Sequence, residues 1–137
     1  MAAATPRRVT IIRALWVIGF LVGTTTHVTD LILGGGDVYE GFPTGIHVFW
    51  VSLTLLDPLA IVLIVLRLRA AVVLAIAIMI ADVAVNSVMT ATYGLPIYGL
   101  VNQTFFGLLV LATAPLLWRH SMKPGRASRQ SPTPLVE

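Results

Sequence analysis

The sequence contains no cysteine among its 137 residues, and charged residues make up only 11% of it. The first absence excludes disulfides, thiolate metal sites, thiol redox chemistry and covalent c-type haem attachment. The second excludes an ordinary soluble domain, in which about a quarter of the residues are charged. Hydrophobic residues instead reach 57%, with a mean hydropathy of +0.91. This composition predicts a chain that lies in a lipid bilayer.

Four apolar windows are each long enough for a transmembrane helix, which takes about 20 residues. They cover residues 10–33, 46–66, 70–92 and 100–118. The connections between them are short, so consecutive helices are expected to be antiparallel neighbours. We therefore predict an all-α protein, an integral membrane four-helix bundle formed by residues 1–120. Residues 121–137 are polar and rich in proline, which predicts a disordered tail.

Basic residues are missing from both connections at one end of the predicted bundle. All nine occur before or at the start of the first window, between the second and third, or after the fourth: Arg7, Arg8, Arg13, Arg67, Arg69, Arg119, Lys123, Arg126 and Arg129. The positive-inside rule then places both termini and the tail in the cytoplasm, and we predict a bacterial inner (plasma) membrane as the location. The pI near 10.0 is explained by this topology. It favours membrane lipid as a partner, and no nucleic acid is expected.

Each window also carries polar residues that are costly in lipid. They recur at helical spacing, so that His27 and Asp30, or Asp82 and Asn86, lie on one face of their helix. Such faces must turn toward one another or toward water, which predicts an outward-facing pocket with Asp57 at its deepest point. The candidate ligand-binding residues are His27, Asp30, His47, Trp50, Thr54, Asp57, Asp82, Asn86, Asn102 and Gln103.

Asp57 and Asp82 are the strongest candidates in this set. A central aspartate costs about 2.5 to 3.5 kcal/mol in a membrane, whereas one interhelical polar contact contributes about 0.6 kcal/mol. Hydrogen bonding between helices therefore does not account for the two acids, although it suits Asn86, Asn102 and Gln103. No basic residue lies at the same depth. We predict that Asp57 and Asp82 face each other and share a proton or a cation.

Four functions are compatible with such a pocket. The one that the acids favour is binding or translocation of a small ligand, a proton or a cation. A second is a membrane-embedded enzyme that performs acid–base chemistry on a lipophilic substrate with a histidine and an aspartate. A third is an accessory subunit of a membrane complex. The fourth is haem or metal binding by His27 and His47, which is disfavoured because their depths differ by about 9 Å and no diagnostic ligand spacing is present.

The shape of the pocket separates the first two functions. A narrow, water-filled pocket that reaches Asp57 favours transport, whereas a wide one with aromatic walls and a lateral entrance favours an enzyme or a site for a lipophilic ligand. The sequence leaves open the identity of the ligand and of any cofactor. It also leaves open whether a homo-oligomer or a partner subunit completes the bundle.

Overall fold

The computed structural model describes residues 6–122, which form four long α-helices and no β-strand. The helices are α1 (Pro6–Gly34), α2 (Thr44–Val65), α3 (Arg69–Tyr93) and α4 (Ile97–Arg119). The prediction of an all-α, four-helix protein is confirmed. Every predicted window falls inside one of these helices, apart from Leu66, which follows α2. From residue 123 onward, the predicted tail lies outside the described residues.

The helix ends coincide with glycines and prolines. α3 ends at Tyr93 and is followed by Gly94, whose φ of 68° is a left-handed conformation that glycine adopts without strain, and whose N–H donates to the Thr90 carbonyl (3.1 Å). Pro43 and Pro96 directly precede α2 and α4, where a missing N–H costs nothing. After α1, the glycine triplet leads into a short 3₁₀ helix, Gly35–Asp37.

The four helices form a closed ring. Within residues 6–122, α1 packs on α2 and α4, and α3 packs on the same two helices, so that α1 and α3 lie on a diagonal. The chain direction alternates around this ring because each connection is short. α1 and α4 pack on each other most loosely. The ring is therefore weakest between the first and last helices.

The core runs along one face of each helix. On α2 the buried residues step by three and four: Trp50, Leu53, Asp57, Ala60 and Ile64. The largest fully buried side chains are Trp16, Phe20, Leu53 and Val110. Trp16 also donates a hydrogen bond from its indole nitrogen to the Thr113 hydroxyl (2.9 Å), which joins α1 to α4. This bond holds α1 and α4 together at one point of their loosely packed interface.

Large apolar side chains also cover the outside of the bundle. Leu33, Leu55 and Phe105 are 81%, 75% and 70% exposed. Water would penalise such a surface, whereas lipid would not. All four helices in the described part of the chain are long and apolar enough to cross a membrane.

The two ends of the bundle differ in charge. One end carries Arg7, Arg8, Arg13, Arg67, Arg69 and Arg119, and we call it the basic end. The other carries Asp37 and Glu40 in the α1–α2 connection together with the α3–α4 connection, and we call it the acidic end. The prediction that basic residues gather at one end of the bundle is thus met by those that the structure describes.

Candidate functional site

Two adjoining cavities of about 370 and 380 Å³ lie in the half of the bundle that is nearer the acidic end. The outer cavity is bordered by residues of both connections, and the inner cavity contains the two buried aspartates. Five residues line both cavities: Thr26, His27, Tyr98, Gly99 and Gln103. All five belong to α1 or α4. The site therefore opens along the same interface that packs most loosely.

Asp57 and Asp82 meet in the inner cavity. Asp57 extends from α2 and is 4% exposed, while Asp82 extends from α3 and is 6% exposed. Both side chains line this one cavity. One Asp82 carboxylate oxygen (Oδ1) accepts a hydrogen bond from the Asn86 side-chain amide (2.8 Å), one helical turn further along α3. The two acids are thus neighbours, and the proton or cation that they share stays a prediction.

Gly23 makes room for one of these carboxylates. A Cβ atom built at Gly23 would lie 2.5 Å from Oδ2 of Asp57, well inside van der Waals contact. α1 can approach Asp57 only because this position lacks a side chain. Sequence reasoning missed Gly23, although it lies one turn before His27 on the same face of α1 and could have been found from that spacing.

Aromatic rings form the apolar wall of the inner cavity. Phe20 and Phe106 meet edge to face across the α1–α4 interface, with ring centroids 5.3 Å apart. Gly19 lies directly against the Phe106 ring, and any side chain there would overlap it. The two helices thus pack closely at this wall, and the rings adopt the edge-to-face arrangement that aromatic quadrupoles favour.

The α1–α2 connection folds over the outer cavity and buries Tyr39. The Tyr39 hydroxyl donates a hydrogen bond to an Asp30 carboxylate oxygen (3.2 Å), and its ring lies 4.9 Å from the Trp50 ring and 5.7 Å from the His47 ring. Phe42 also packs against Trp50, with ring centroids 5.1 Å apart. Neither aromatic of this connection was expected at the site, because an irregular segment has no periodicity from which burial can be predicted.

Titration of Tyr39 should report this closed connection. Burial, together with the neighbouring Asp30 carboxylate, raises the pKa of the Tyr39 phenol from 10.0 to about 12. Because the native state holds this proton more tightly than the unfolded chain, the stabilisation is complete below pH 10 and is lost as the pH rises toward 12. The sequence has three tyrosines, so Tyr93→Phe combined with Tyr98→Phe isolates this one.

We expect the phenolate absorbance of that doubly substituted chain to appear near pH 12. Adding Asp30→Asn should lower the midpoint, since the amide carries no charge to repel the phenolate. A midpoint near pH 10, the ordinary value for tyrosine, would contradict the closed connection.

Two buried polar atoms at the site have no hydrogen-bond partner among residues 6–122. They are Nδ1 of His27, a residue that is 9% exposed, and Oε1 of Gln103. Both residues line both cavities. A buried polar atom without a partner costs about 1 to 3 kcal/mol, so a polar group that enters the cavity would relieve this cost.

Eight of the ten predicted site residues line the cavities. The outer cavity alone has Asp30, Trp50 and Asn86, the inner cavity alone has Asp57, Asp82 and Asn102, and both have His27 and Gln103. His47 and Thr54 lie outside both. His47 packs against the edge of the Tyr39 ring, and Thr54 has a buried hydroxyl without a partner in the described part of the chain. α2 contributes little because the cavities open between α1 and α4.

The side-chain amides of the described residues do not form the hydrogen bonds between helices that we expected. Asn86 donates within its own helix, Asn102 is exposed, and Oε1 of Gln103 has no partner in residues 6–122. A side-chain hydrogen bond between helices is instead made by Trp16 and Thr113, in the halves of α1 and α4 that are nearer the basic end. Sequence reasoning missed this pair because an indole and a threonine hydroxyl are ordinary in a membrane helix.

The chemistry of the site is that of carboxylates, one imidazole, amides and aromatic walls. Within the part of the chain that the structure describes, no group of three or more His, Cys, Asp or Glu residues could hold a metal ion. Comparison of the chain with protein-family models, with curated proteins and with solved structures finds no match. No activity or ligand therefore carries over from a relative.

Proposed function

We propose that this protein binds a lipophilic organic cation in the inner and outer cavities. The observation that carries the proposal is the pair of buried carboxylates, Asp57 and Asp82, in a cavity that no Lys or Arg of residues 6–122 lines. A charge buried without a partner is strongly unfavourable. A ligand cation would compensate one carboxylate and a proton on the pair would neutralise the other. Asp30 supplies a third carboxylate in the outer cavity.

The walls support an organic cation rather than an inorganic one. Ca²⁺ and Mg²⁺ require a shell of about six to eight oxygen ligands, and the described residues offer no metal-binding group. Aromatic rings, by contrast, attract organic ammonium groups through their faces and cover the apolar body of a ligand. Trp50 and Tyr98 provide such rings in the outer cavity, and Phe20 and Phe106 do so in the inner one.

The size and position of the cavities also fit such a ligand. Each volume lies in the range of about 300 to 1,000 Å³ that is typical of small-molecule sites. Exposed residues of both helices, Val22 and Thr26 on α1 and Asn102 on α4, line the inner cavity. A ligand dissolved in lipid would thus enter sideways between α1 and α4. This wide, aromatic and laterally open shape favours a lipophilic ligand over a narrow path for ions.

A matched pair of probes tests the proposal. Benzyltrimethylammonium is a lipophilic cation, and neopentylbenzene is its neutral carbon isostere. In equilibrium dialysis of the purified protein in detergent micelles, with protein-free micelles as the blank, we expect the cation to bind at least about tenfold more tightly, since cation–π and carboxylate contacts act on the charge alone. Equal affinity of the two probes would overturn the proposal.

The orientation that we propose for this site follows from charge. The basic end faces the cytoplasm of a bacterial inner membrane, and the half of the bundle that contains the cavities lies toward the opposite side. Labelling with an impermeant thiol reagent tests it, because the natural chain has no cysteine. We expect Asp37→Cys in intact cells to react and Gln130→Cys to react only after lysis. The reverse pattern would contradict the orientation.

A second candidate is a membrane-embedded enzyme with acid–base chemistry. The observation that favours it is Nδ1 of His27, which lacks a partner among the described residues and lines the same cavity as Asp57. A neutral imidazole beside a carboxylate can take and return a proton. The two candidates differ in the fate of a bound compound, which mass spectrometry of the released ligand would follow. A homo-oligomer or a partner subunit stays a prediction of the sequence.

A further inference from the structure

Arginines from different parts of the chain converge at the basic end. Arg13 of α1 donates a hydrogen bond from its guanidinium group to the His120 carbonyl (2.7 Å), just after α4. Arg67 lies in the turn between α2 and α3, and its charge is close enough to that of Arg13 to repel it. The turn itself is held by Met122, whose N–H donates to the Arg67 carbonyl (2.8 Å). Residues 120–122 thus hold the segments that carry Arg13 and Arg67 next to each other.

Among residues 6–122, this cluster has no acidic counterpart nearby. The five acidic residues in the described range are Asp30, Asp37, Glu40, Asp57 and Asp82. The closest of them along the chain, Asp57, lies ten residues before Arg67, about 15 Å along a helix. The C-termini of α2 and α4 each supply about half a negative charge at this end, and the N-termini of α1 and α3 offset it with about half a positive charge each. The net positive charge of the arginines therefore remains.

The surroundings of the two arginines are apolar and exposed. Arg13 is flanked on α1 by Ile11 and Leu15, which are 49% and 42% exposed. Arg67 follows Val65 and Leu66, which are 63% and 53% exposed. A site that combines cations with neighbouring exposed aliphatic side chains suits an amphipathic anion with acyl chains.

We propose that Arg13 and Arg67 together bind the phosphate of an anionic phospholipid at the basic end. A guanidinium group presents parallel N–H donors that fit two phosphate oxygens at once. Arg69 contributes less to this site, because its guanidinium lies over the Trp118 ring at 5.0 Å from the centroid. The exposed aliphatic side chains beside Arg13 and Arg67 would cover the first part of the acyl chains. The site lies at the opposite end of the bundle from the cavities and does not depend on the function proposed for them.

Native mass spectrometry of the purified protein tests this site with phosphatidylglycerol and phosphatidylcholine as competing lipids. We expect a preference for phosphatidylglycerol of about 30-fold. Each basic residue near an anionic surface strengthens binding by about fivefold, and two arginines act here. Arg13→Gln combined with Arg67→Gln should remove the preference. Arg7→Gln combined with Arg8→Gln is the matched control, because it removes two exposed arginines from the start of the same helix and should leave the preference intact.

Three outcomes would overturn the proposal. The first is the absence of a preference in the natural chain, and the second is an equal loss in both doubly substituted chains. The third is full displacement of the lipid by inorganic phosphate at equal concentration, which would assign the site to a free anion. If the glutamine variant fails to fold, Arg13→Lys with Arg67→Lys keeps both charges and removes only the forked geometry. A reduced preference in that chain supports the site, and an unchanged preference overturns it.

Discussion

In Asp57→Asn we expect the affinity for benzyltrimethylammonium to fall by roughly 30-fold to several thousand-fold, because truncating one partner of a buried charge pair costs about 2 to 5 kcal/mol. Asparagine keeps the size of the side chain and removes its charge. Insertion and folding should persist, because a neutral amide is less costly than a carboxylate in an apolar interior. Equilibrium dialysis gives the affinity, and thermal unfolding in the same micelles gives the stability.

Glu40→Gln is the matched control for this substitution. Glu40 lies in the exposed part of the α1–α2 connection, outside both cavities, and its replacement removes the same charge. Binding should stay as in the natural chain. Asp82→Asn should weaken binding in the same direction as Asp57→Asn. If both aspartate variants bind normally but unfold more easily, the two acids have a structural role only, and the proposed cation site is wrong.

The second large effect is expected for Gly23→Ala, which changes no charge at all. The added Cβ would lie 2.5 Å from Oδ2 of Asp57, so the carboxylate must move away from its position in the inner cavity. Overpacking of this kind costs about 1 to 3 kcal/mol, which corresponds to roughly a 5- to 150-fold loss of affinity if the strain falls on the bound state. Dialysis with benzyltrimethylammonium measures the loss.

Gly45→Ala provides the comparison for this substitution. Gly45 lies in the first turn of α2, and a Cβ atom there would meet nothing within 4 Å. Binding should not change, and the unfolding free energy should rise slightly, because alanine restricts the unfolded chain more than glycine does. Normal binding by Gly23→Ala would mean that the position of the Asp57 carboxylate does not determine affinity.

The helices and their ends were predictable because their physical causes are local. A run of apolar residues such as 70–92 forms a helix in a bilayer. Gly94 ends one helix and Pro96 begins the next because of their own backbone geometry. The proximity of Asp57 and Asp82 was also predictable. The short turn at Arg67 makes α2 and α3 neighbours. Residues at similar distances from this turn therefore lie at similar heights along the two helices.

The rest of the site depends on contacts between segments that are far apart in sequence. Gly23 has no side chain to mark the face that it occupies, and its importance arises only when α2 places Asp57 against it. Tyr39 is buried because the α1–α2 connection folds back over the bundle, which no repeating pattern encodes. The opening between α1 and α4 was equally hidden, since no connection in the chain joins these two helices directly.

The hydrogen bond between Trp16 and Thr113 spans 97 positions of the chain, and this separation constrains the order of assembly. During synthesis α1, α2 and α3 are complete before α4 emerges, so the ring can close only after the last helix has entered the membrane. A contact of such long sequence separation carries a large loop-closure entropy unless the intervening helices have already packed. The cavities lie between the first and last helices, so the binding site is the last part of the molecule to mature. A nascent chain arrested before Thr113 would contain both buried aspartates and no closed site around them.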